Sequence, residues 1–117
     1  MISSYRDLHV WQRAMELAEA TYKLANELPP YETYRLGQQL RRSAVSVVSN
    51  IAEGHGRAHR GDYLHHLSIS RGSLAELQTQ LELASRLHAS SVEQALSLAD
   101  EVGRMLTTLM KRLRPSP

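Results

Sequence analysis

The stretch QLRRSAVSVVSNIAEG, residues 39–54, places apolar side chains on two neighbouring stripes of one predicted helix. Together the stripes cover roughly half of the helix circumference, whereas an ordinary amphipathic surface helix buries an arc of about 100°. We therefore expect this helix to pack on two sides, once in its own core and once against something else. The first stripe contains Leu36, Leu40, Ala44, Val47 and Ile51, and the second contains Val45, Val48 and Ala52.

The composition limits the class of protein. The chain has 117 residues and no cysteine, which fits one domain and excludes disulfides and thiolate metal sites. No apolar stretch approaches the ~20 residues of a membrane span, and the N-terminus has no apolar run typical of a secretory signal. We expect a soluble, cytoplasmic protein without a membrane partner.

Hydrophobic periodicity predicts four helices and no strand. Pro29 and Pro30 end the first helix because proline lacks the amide hydrogen, and Gly54 favours a left-handed stop after the second. Ser90 and Glu93 have the spacing of a capping box that opens the fourth. Short connections favour an all-α, antiparallel up-down-up-down four-helix bundle. The predicted single domain, residues 1–117, has helices at about 5–28, 32–53, 62–88 and 91–113, and a tail at 114–117.

The other helices have apolar seams at spacings of three and four residues. The fourth also has a second stripe, and homo-oligomerisation is the commonest way to bury such surplus surface. Uneven burial inside a monomer is the alternative. Gly72 is expected to let helix three approach the serine-rich face of helix two. The seams are Leu8, Trp11, Met15, Ala18, Tyr22 and Ala25 in helix one, Leu67, Ser70, Leu74, Leu77, Leu81 and Ala84 in helix three, and Val92, Leu96, Ala99, Leu106, Met110 and Leu113 in helix four, whose second stripe is Leu98, Val102, Met105 and Leu109.

Positive charge is concentrated in the second quarter of the chain. The whole chain carries +2, but residues 35–61 contain five arginines and one acid. Because arginine binds phosphate well, we predict nucleic-acid contacts by Arg35 and Arg42 on the polar face of helix two, and by Arg57 and Arg60 in the following loop. Ion pairs or a solvated loop are the alternatives. This loop has no aromatic residue on which bases could stack.

The two arginine groups are separated along the second helix. Arg42 lies about 16 Å from the predicted helix end at a rise of 1.5 Å per residue. They therefore form one patch only if neighbouring helices or subunits bring them together.

Other polar residues of helix two are predicted to organise the assembly. Arg41 borders the apolar stripe, so we expect it to form an ion pair between helices or between subunits, for example with Glu53, Glu76 or Glu82. Glu53 lies in the last turn of the helix, where its charge opposes the helix dipole. We expect Glu53 and Asn50 to form a polar network in which Glu53 bonds an arginine or backbone N–H groups. The network either stabilises the structure or organises a ligand. The residues predicted to support the oligomer are Arg41, Val45, Val48, Asn50, Ala52, Glu53, Leu98, Val102, Met105 and Leu109.

Metal binding and catalysis have little support in the sequence. Asp62 and His65, near His59 and His66, resemble the Glu-x-x-His motif of di-iron bundles. The predicted inward positions are apolar, however, so we predict no metal and no cofactor. No nucleophile elbow or paired acid is present, so we predict that the protein is not an enzyme.

Three motifs resemble those of a known family. The first is Leu8-x-Val10-Trp11-Gln12-x-Ala14, the second is residues 39–54, and the third is Gly72-Ser73-Leu74-x-Glu76-Leu77-x-Thr79-Gln80. Through them the chain, from about Tyr5 to Leu113, resembles the four-helix bundle proteins encoded in intervening sequences of bacterial 23S ribosomal RNA genes.

The resemblance implies more about structure than about activity. Relatives assemble into pentamers, and no catalytic residues carry over. The accessory variability proteins of diversity-generating retroelements are similar to this family in fold. They form basic pentamers that bind nucleic acid and a reverse transcriptase. The chain is therefore predicted to be a homo-oligomer that binds RNA or DNA, structured RNA foremost, as an accessory to another protein. The alternative is a protein-interaction scaffold with no nucleic-acid role.

Overall fold

The computed structural model describes residues 4–115, which form four α-helices and no β-strand. Residues 1–3 and 116–117 lie outside the described range, and so does half of the predicted tail. Among the described helices, none combines the length and hydropathy that crossing a bilayer requires. The helices are α1 at His9–Asn26, α2 at Leu36–His55, α3 at Arg60–His88 and α4 at Glu93–Leu113, with 3-10 turns at Tyr5–Asp7 and Pro30–Glu32.

Each helix packs on two neighbours. α1 lies between α2 and α4, and α3 contacts the same two helices from the other side. The described chain measures 47 × 24 × 19 Å, so the bundle is a short rod. The core runs along its axis and contains the whole predicted seam of α3 and the whole first stripe of α2. These two predictions are confirmed.

The predicted seam of α1 is correct in part. Leu8 and Ala25 are buried, and Trp11 and Ala18 are half-buried against the core. Met15 and Tyr22 are 37% and 42% exposed. The core face instead includes Ala14, Leu17 and Thr21. The Thr21 hydroxyl donates to the Leu17 carbonyl oxygen at 2.8 Å, so its burial leaves no unpaired donor. Small Ala14 and the satisfied Thr21 hydroxyl thus take core positions beside Leu17, while Met15 and Tyr22 face outward, so hydrophobicity alone misplaced part of the buried face.

Three predicted helix starts also need correction. α1 begins at His9 rather than near residue 5, because a 3-10 turn and an extended Leu8 precede it. α2 begins at Leu36 rather than near residue 32, because a 3-10 turn precedes it and Arg35 has φ −117° and ψ −107°. α4 begins at Glu93, and its N-cap, Val92, supplies no side-chain cap. The predicted capping box is therefore wrong. The Ser91 hydroxyl donates to the Glu93 carboxylate at 2.8 Å instead.

The glycines at the α2–α3 contact have different roles from those predicted. Gly54 lies inside α2, and no described glycine has a positive φ. A Cβ at Gly54 would lie 2.8 Å from the Cβ of His66 and 3.1 Å from Cδ1 of Tyr63. Gly54 therefore permits close packing of α3 rather than a left-handed stop. A Cβ at Gly72 would meet nothing within 4 Å, so Gly72 does not bring α3 closer to α2.

The extra apolar stripes are partly explained within the chain. Val48 and Val102 are buried in the core. The remaining residues of the second α4 stripe are half-buried and pack against the core. Val45 on α2 remains 42% exposed, on the side of α2 that faces Tyr22 of α1. Uneven burial thus accounts for most of the α4 stripe, while the α1–α2 side keeps exposed apolar surface.

Candidate nucleic-acid interface

A ladder of polar side chains joins α2 to α3. The Ser46 and Ser73 hydroxyl oxygens lie 2.7 Å apart, and the buried Ser70 hydroxyl donates to the Val47 carbonyl oxygen at 2.7 Å. Further along α2, residue 50 bonds residue 66 of α3. Positions rise along α2 while they fall along α3, so the two helices run antiparallel.

Asn50 connects the ladder to the end of α2. Its amide nitrogen donates to the Ser46 carbonyl oxygen at 2.9 Å, and its amide oxygen accepts from Nδ1 of His66 at 3.0 Å. Glu53 Oε2 lies 4.0 Å from the same imidazole nitrogen, while its Oε1 accepts from Arg57 at 2.8 Å. The predicted polar network is therefore present, and its partners come from one chain.

Within the described chain, Arg41 forms no ion pair with Glu53, Glu76 or Glu82. Its guanidinium donates to the backbone carbonyl oxygen of Thr33 at 2.7 Å. This contact is possible because α2 begins later than predicted and leaves residue 33 in a turn before the helix. Arg41 therefore fastens the α1–α2 loop to the first turns of α2.

The four arginines predicted to bind nucleic acid do not form one patch within the chain. Arg35 is exposed just before α2, and Arg42 is exposed in the groove between α2 and α3. Arg57 and Arg60 follow the other end of α2. From Arg42 to the observed helix end at His55 the axial distance is about 20 Å.

The contacts between helices bring Arg57 and Arg60 to the end of the rod that holds the start of α1 and the end of α4. The groove lined by Leu8 also contains Arg112, which places the last turn of α4 beside the start of α1. The groove shared by Tyr22 and Val45 pairs the later half of α1 with the first half of α2. The end of α2 therefore lies toward the start of α1, at the same end of the rod.

This end of the rod is strongly basic. It has six exposed Arg and Lys side chains and three acids, a net charge of +3, whereas the remaining described helices and loops sum to −1. The acids are Asp7, Glu53 and Asp62, and Glu53 forms an ion pair with Arg57. We call the following group the basic end: Arg6, Arg57, Arg60, Lys111, Arg112 and Arg114.

Local structure positions two parts of the basic end. The guanidinium of Arg6 lies 4.8 Å from the centre of the Tyr5 ring, which in turn packs edge-on against Trp11 at 5.2 Å. Lys111 and Arg112 belong to the last turn of α4, where the helix dipole favours positive charge. Sequence reasoning missed Arg6, Lys111, Arg112 and Arg114 because they are distant in the chain from Arg57 and Arg60.

The opposite end of the rod has a largely buried hydrogen-bonded pair, a histidine and a carboxylate, instead. Nε2 of His88, in the last turn of α3, donates to Oε2 of Glu32 at 2.6 Å, and both side chains are 11% exposed. The hydrogen bond from His88, together with one from the Leu36 amide, lowers the pKa of Glu32 despite the opposing effect of burial. The pair holds the α1–α2 loop against the end of α3.

The histidines whose spacing resembles a di-iron motif make other contacts. Within residues 4–115, no group of three or more His, Cys, Asp or Glu side chains is arranged to hold a metal ion. His65 and His66 lie edge to face with ring centres 5.9 Å apart, and His66 is engaged by Asn50. These side chains therefore belong to the α2–α3 contact and its rim.

The geometry defines an all-helical protein whose net positive charge lies at one end. The sequence profile of the 23S rRNA-intervening sequence proteins matches residues 6–109. The chain belongs to this family, which confirms the prediction from the three motifs. No curated protein matches it.

A solved structure from Bacteroides thetaiotaomicron VPI-5482 is similar in fold. It is described as a protein with unknown function from the S23 ribosomal protein family. The TM-score is 0.79 at 24% identity, and the match covers 87% of this chain and 95% of that chain. The likeness establishes a shared fold across nearly the whole of both chains.

Proposed function

We propose that this protein is a non-enzymatic helical bundle that self-associates and binds nucleic acid, structured RNA foremost, through the basic end. The observation that carries the proposal is the collection of six exposed cations against three acids at one end of the rod. Each phosphate that an Arg or Lys neutralises releases counterions, so binding of this kind is strong at low salt and weakens as salt rises.

The proposed binding mode reads phosphates rather than base sequence. The cations come from four separate elements: the turn before α1, the α2–α3 loop, the start of α3 and the end of α4. Cations from four elements can contact phosphates that are spread over the surface of a folded strand. A single row of cations along one helix would match such a surface less well. Arginine predominates in the group, and its planar fork suits phosphate oxygens.

Self-association is proposed through the α1–α2 side. Met15, Tyr22 and Val45 are each more than a third exposed there, next to the half-buried small residues Ala18 and Ala52. Small residues allow a second copy to approach closely, while the larger ones supply apolar area. We propose an up-down-up-down order of the four helices and, from the family resemblance, a pentamer.

Gel-shift binding across a salt series tests the nucleic-acid proposal. The variant Arg60→Gln/Arg112→Gln removes two charges from the basic end. The control, Arg71→Gln/Arg86→Gln, removes two exposed charges from the middle and far end of α3. We expect the first variant to flatten the plot of log K against log salt by about one unit per lost phosphate contact. The control should retain the wild-type slope.

Two results would reject the proposal. One is the absence of binding to any RNA or DNA at low salt. The other is an equal loss of slope in the two double variants, which would show that only overall charge matters. In the first case the alternative, a scaffold that docks a partner protein with no nucleic-acid role, becomes the better description.

A further inference from the structure

We propose that Tyr31 and Tyr34 form a platform on which unpaired bases of a nucleic-acid strand stack. The platform lies at the end of the rod opposite the basic end. This inference rests on the proposed nucleic-acid binding and names the feature of the ligand that the platform recognises. It gives the protein a preference for strands with unpaired bases, which phosphate contacts alone would not produce.

The exposure of these two side chains is the first observation. Tyr31 is 65% exposed and Tyr34 is 84% exposed. Tyr5, in contrast, packs against Trp11, and burial raises the pKa of the half-buried Tyr63. Two tyrosines three positions apart therefore present ring surface that no described residue covers, although aromatic rings are the side chains that gain most from contact.

The loop that carries the tyrosines is fixed in place. The Thr33 amide donates to the Pro30 carbonyl oxygen at 3.1 Å, and the Arg35 amide donates to the Glu32 carbonyl oxygen at 3.0 Å. Arg41 bonds the carbonyl oxygen of residue 33 at 2.7 Å. A backbone held in this way loses little freedom on binding, so more of the stacking energy appears as affinity.

The fold also orients one of the rings. Tyr31 lies edge to face with His88, with ring centres 6.0 Å apart and planes inclined by 70°. His88 is itself held by Glu32 at 2.6 Å. This side of the tyrosine is supported, and the exposed remainder of the ring is available to a base.

Two exposed arginines near the tyrosines can contact the phosphates of a strand. Arg35 is exposed directly after Tyr34, and Arg42 is exposed further along α2. The acid nearest the two rings in sequence, Glu32, is buried and engaged by His88, whereas the other acid of the loop, Glu27, is exposed at its start. Exposed cations beside aromatic rings are the combination by which proteins bind single strands, with bases on the rings and phosphates on the cations.

The test compares two probes and two double variants. The probes are a single strand of about 12 nucleotides and a blunt RNA duplex of about 16 base pairs. Tyr31→Leu/Tyr34→Leu removes the rings and keeps apolar bulk. Tyr31→Phe/Tyr34→Phe keeps the rings and is the matched control. Both sites are exposed, and a thermal melt checks that each variant retains the wild-type fold.

We expect the leucine variant to bind the single strand more weakly by roughly 5- to 150-fold for each base that stacks. The phenylalanine variant should bind like the wild type. Duplex affinity and the salt slope should be unchanged, since no phosphate contact is removed. A 2-aminopurine in the strand should report stacking as a loss of fluorescence with the wild type and the phenylalanine variant, and less loss with the leucine variant.

The outcomes separate this inference from the proposed function. If the leucine variant binds the single strand as tightly as the wild type, the platform is refuted while duplex binding through the basic end stands. An equal loss in the phenylalanine variant would also refute stacking, because it assigns the effect to the hydroxyl groups. If the wild type binds neither probe at low salt, the proposed function fails, and a protein partner becomes the candidate occupant of the tyrosines.

Discussion

His88 and Glu32 are 56 positions apart in the chain, yet Nε2 of His88 donates to the Glu32 carboxylate at 2.6 Å. Each of the two side chains is 11% exposed. The α1–α2 loop is therefore held to the end of α3 by a hydrogen bond that is largely shielded from water. Because the fold lowers the pKa of Glu32, the stability of the protein should depend on pH through this carboxyl.

Acid should weaken the fold through Glu32. The pKa of Glu32 in the unfolded chain, near 4.5, lies above its pKa in the fold. The stabilisation that ionised Glu32 gives the fold is therefore complete at pH values above the unfolded-state pKa. It disappears as the pH falls through the folded-state pKa. We expect Glu32→Gln to lower the urea midpoint at pH 7 and the difference from wild type to shrink toward pH 3. Glu27→Gln, at an exposed position beside the same loop, is the control. A constant difference between Glu32→Gln and wild type at all pH values would contradict this account.

Substitution of Gly54 should be costly, whereas substitution of Gly72 should be favourable. A Cβ at position 54 would lie 2.8 Å from that of His66, so α2 and α3 would have to separate. We expect Gly54→Ala to destabilise by about 1–3 kcal/mol. Gly72→Ala, in open space within α3, should stabilise by about 0.5–1 kcal/mol. Denaturant unfolding measures both, and a neutral Gly54→Ala would show that the close packing is not needed.

The buried hydroxyl of Ser70 should contribute measurably to stability. It donates to the Val47 carbonyl oxygen across the α2–α3 contact at 2.7 Å and is fully buried. We expect Ser70→Ala to cost about 0.5–1.5 kcal/mol. Ser68→Ala, at an exposed position of the same helix, should change the free energy of unfolding by less than about 0.5 kcal/mol. Equal effects of the two substitutions would refute a specific role for the interhelical bond.

Charge at Val45 should block self-association without unfolding the chain. Val45 is 42% exposed on the α1–α2 side, so Val45→Arg should leave monomer stability within about 0.5 kcal/mol while burying a charge in any contact formed there. Leu83→Arg, at a 44% exposed position of α3, is the control. Sedimentation should show smaller particles for the first variant only. A wild type that sediments as a monomer at high concentration would exclude the assembly itself.

The sequence predicts a helix face well where the face is made of large aliphatic residues. In α3 the recurrence of leucine at 67, 74, 77 and 81 identifies the core correctly. In α1 the core instead contains Ala14 and Thr21, and the exposed side contains Met15 and Tyr22. Which side of such a helix is buried depends on the shape of its neighbours, and no local pattern records that.

The candidate site was likewise predictable only where its residues are close together in the sequence. Arg57 and Arg60 could be identified because they are close in sequence within a glycine-rich segment. Arg6 and Arg112 could not, since their proximity to that loop arises only when the helices pack. The His88–Glu32 pair is equally non-local, and its partners, 56 positions apart, have no sequence pattern that links them.

The basic end gives the rod an asymmetric charge distribution along its axis. This asymmetry determines the orientation in which the rod would approach a polyanion. Long-range attraction turns such a body before contact, so it arrives tip first and covers the ligand with its cross-section of 24 × 19 Å rather than its 47 Å flank. At 3.4 Å per base pair, this footprint spans about seven base pairs. Coverage of a longer stretch would take several copies standing side by side.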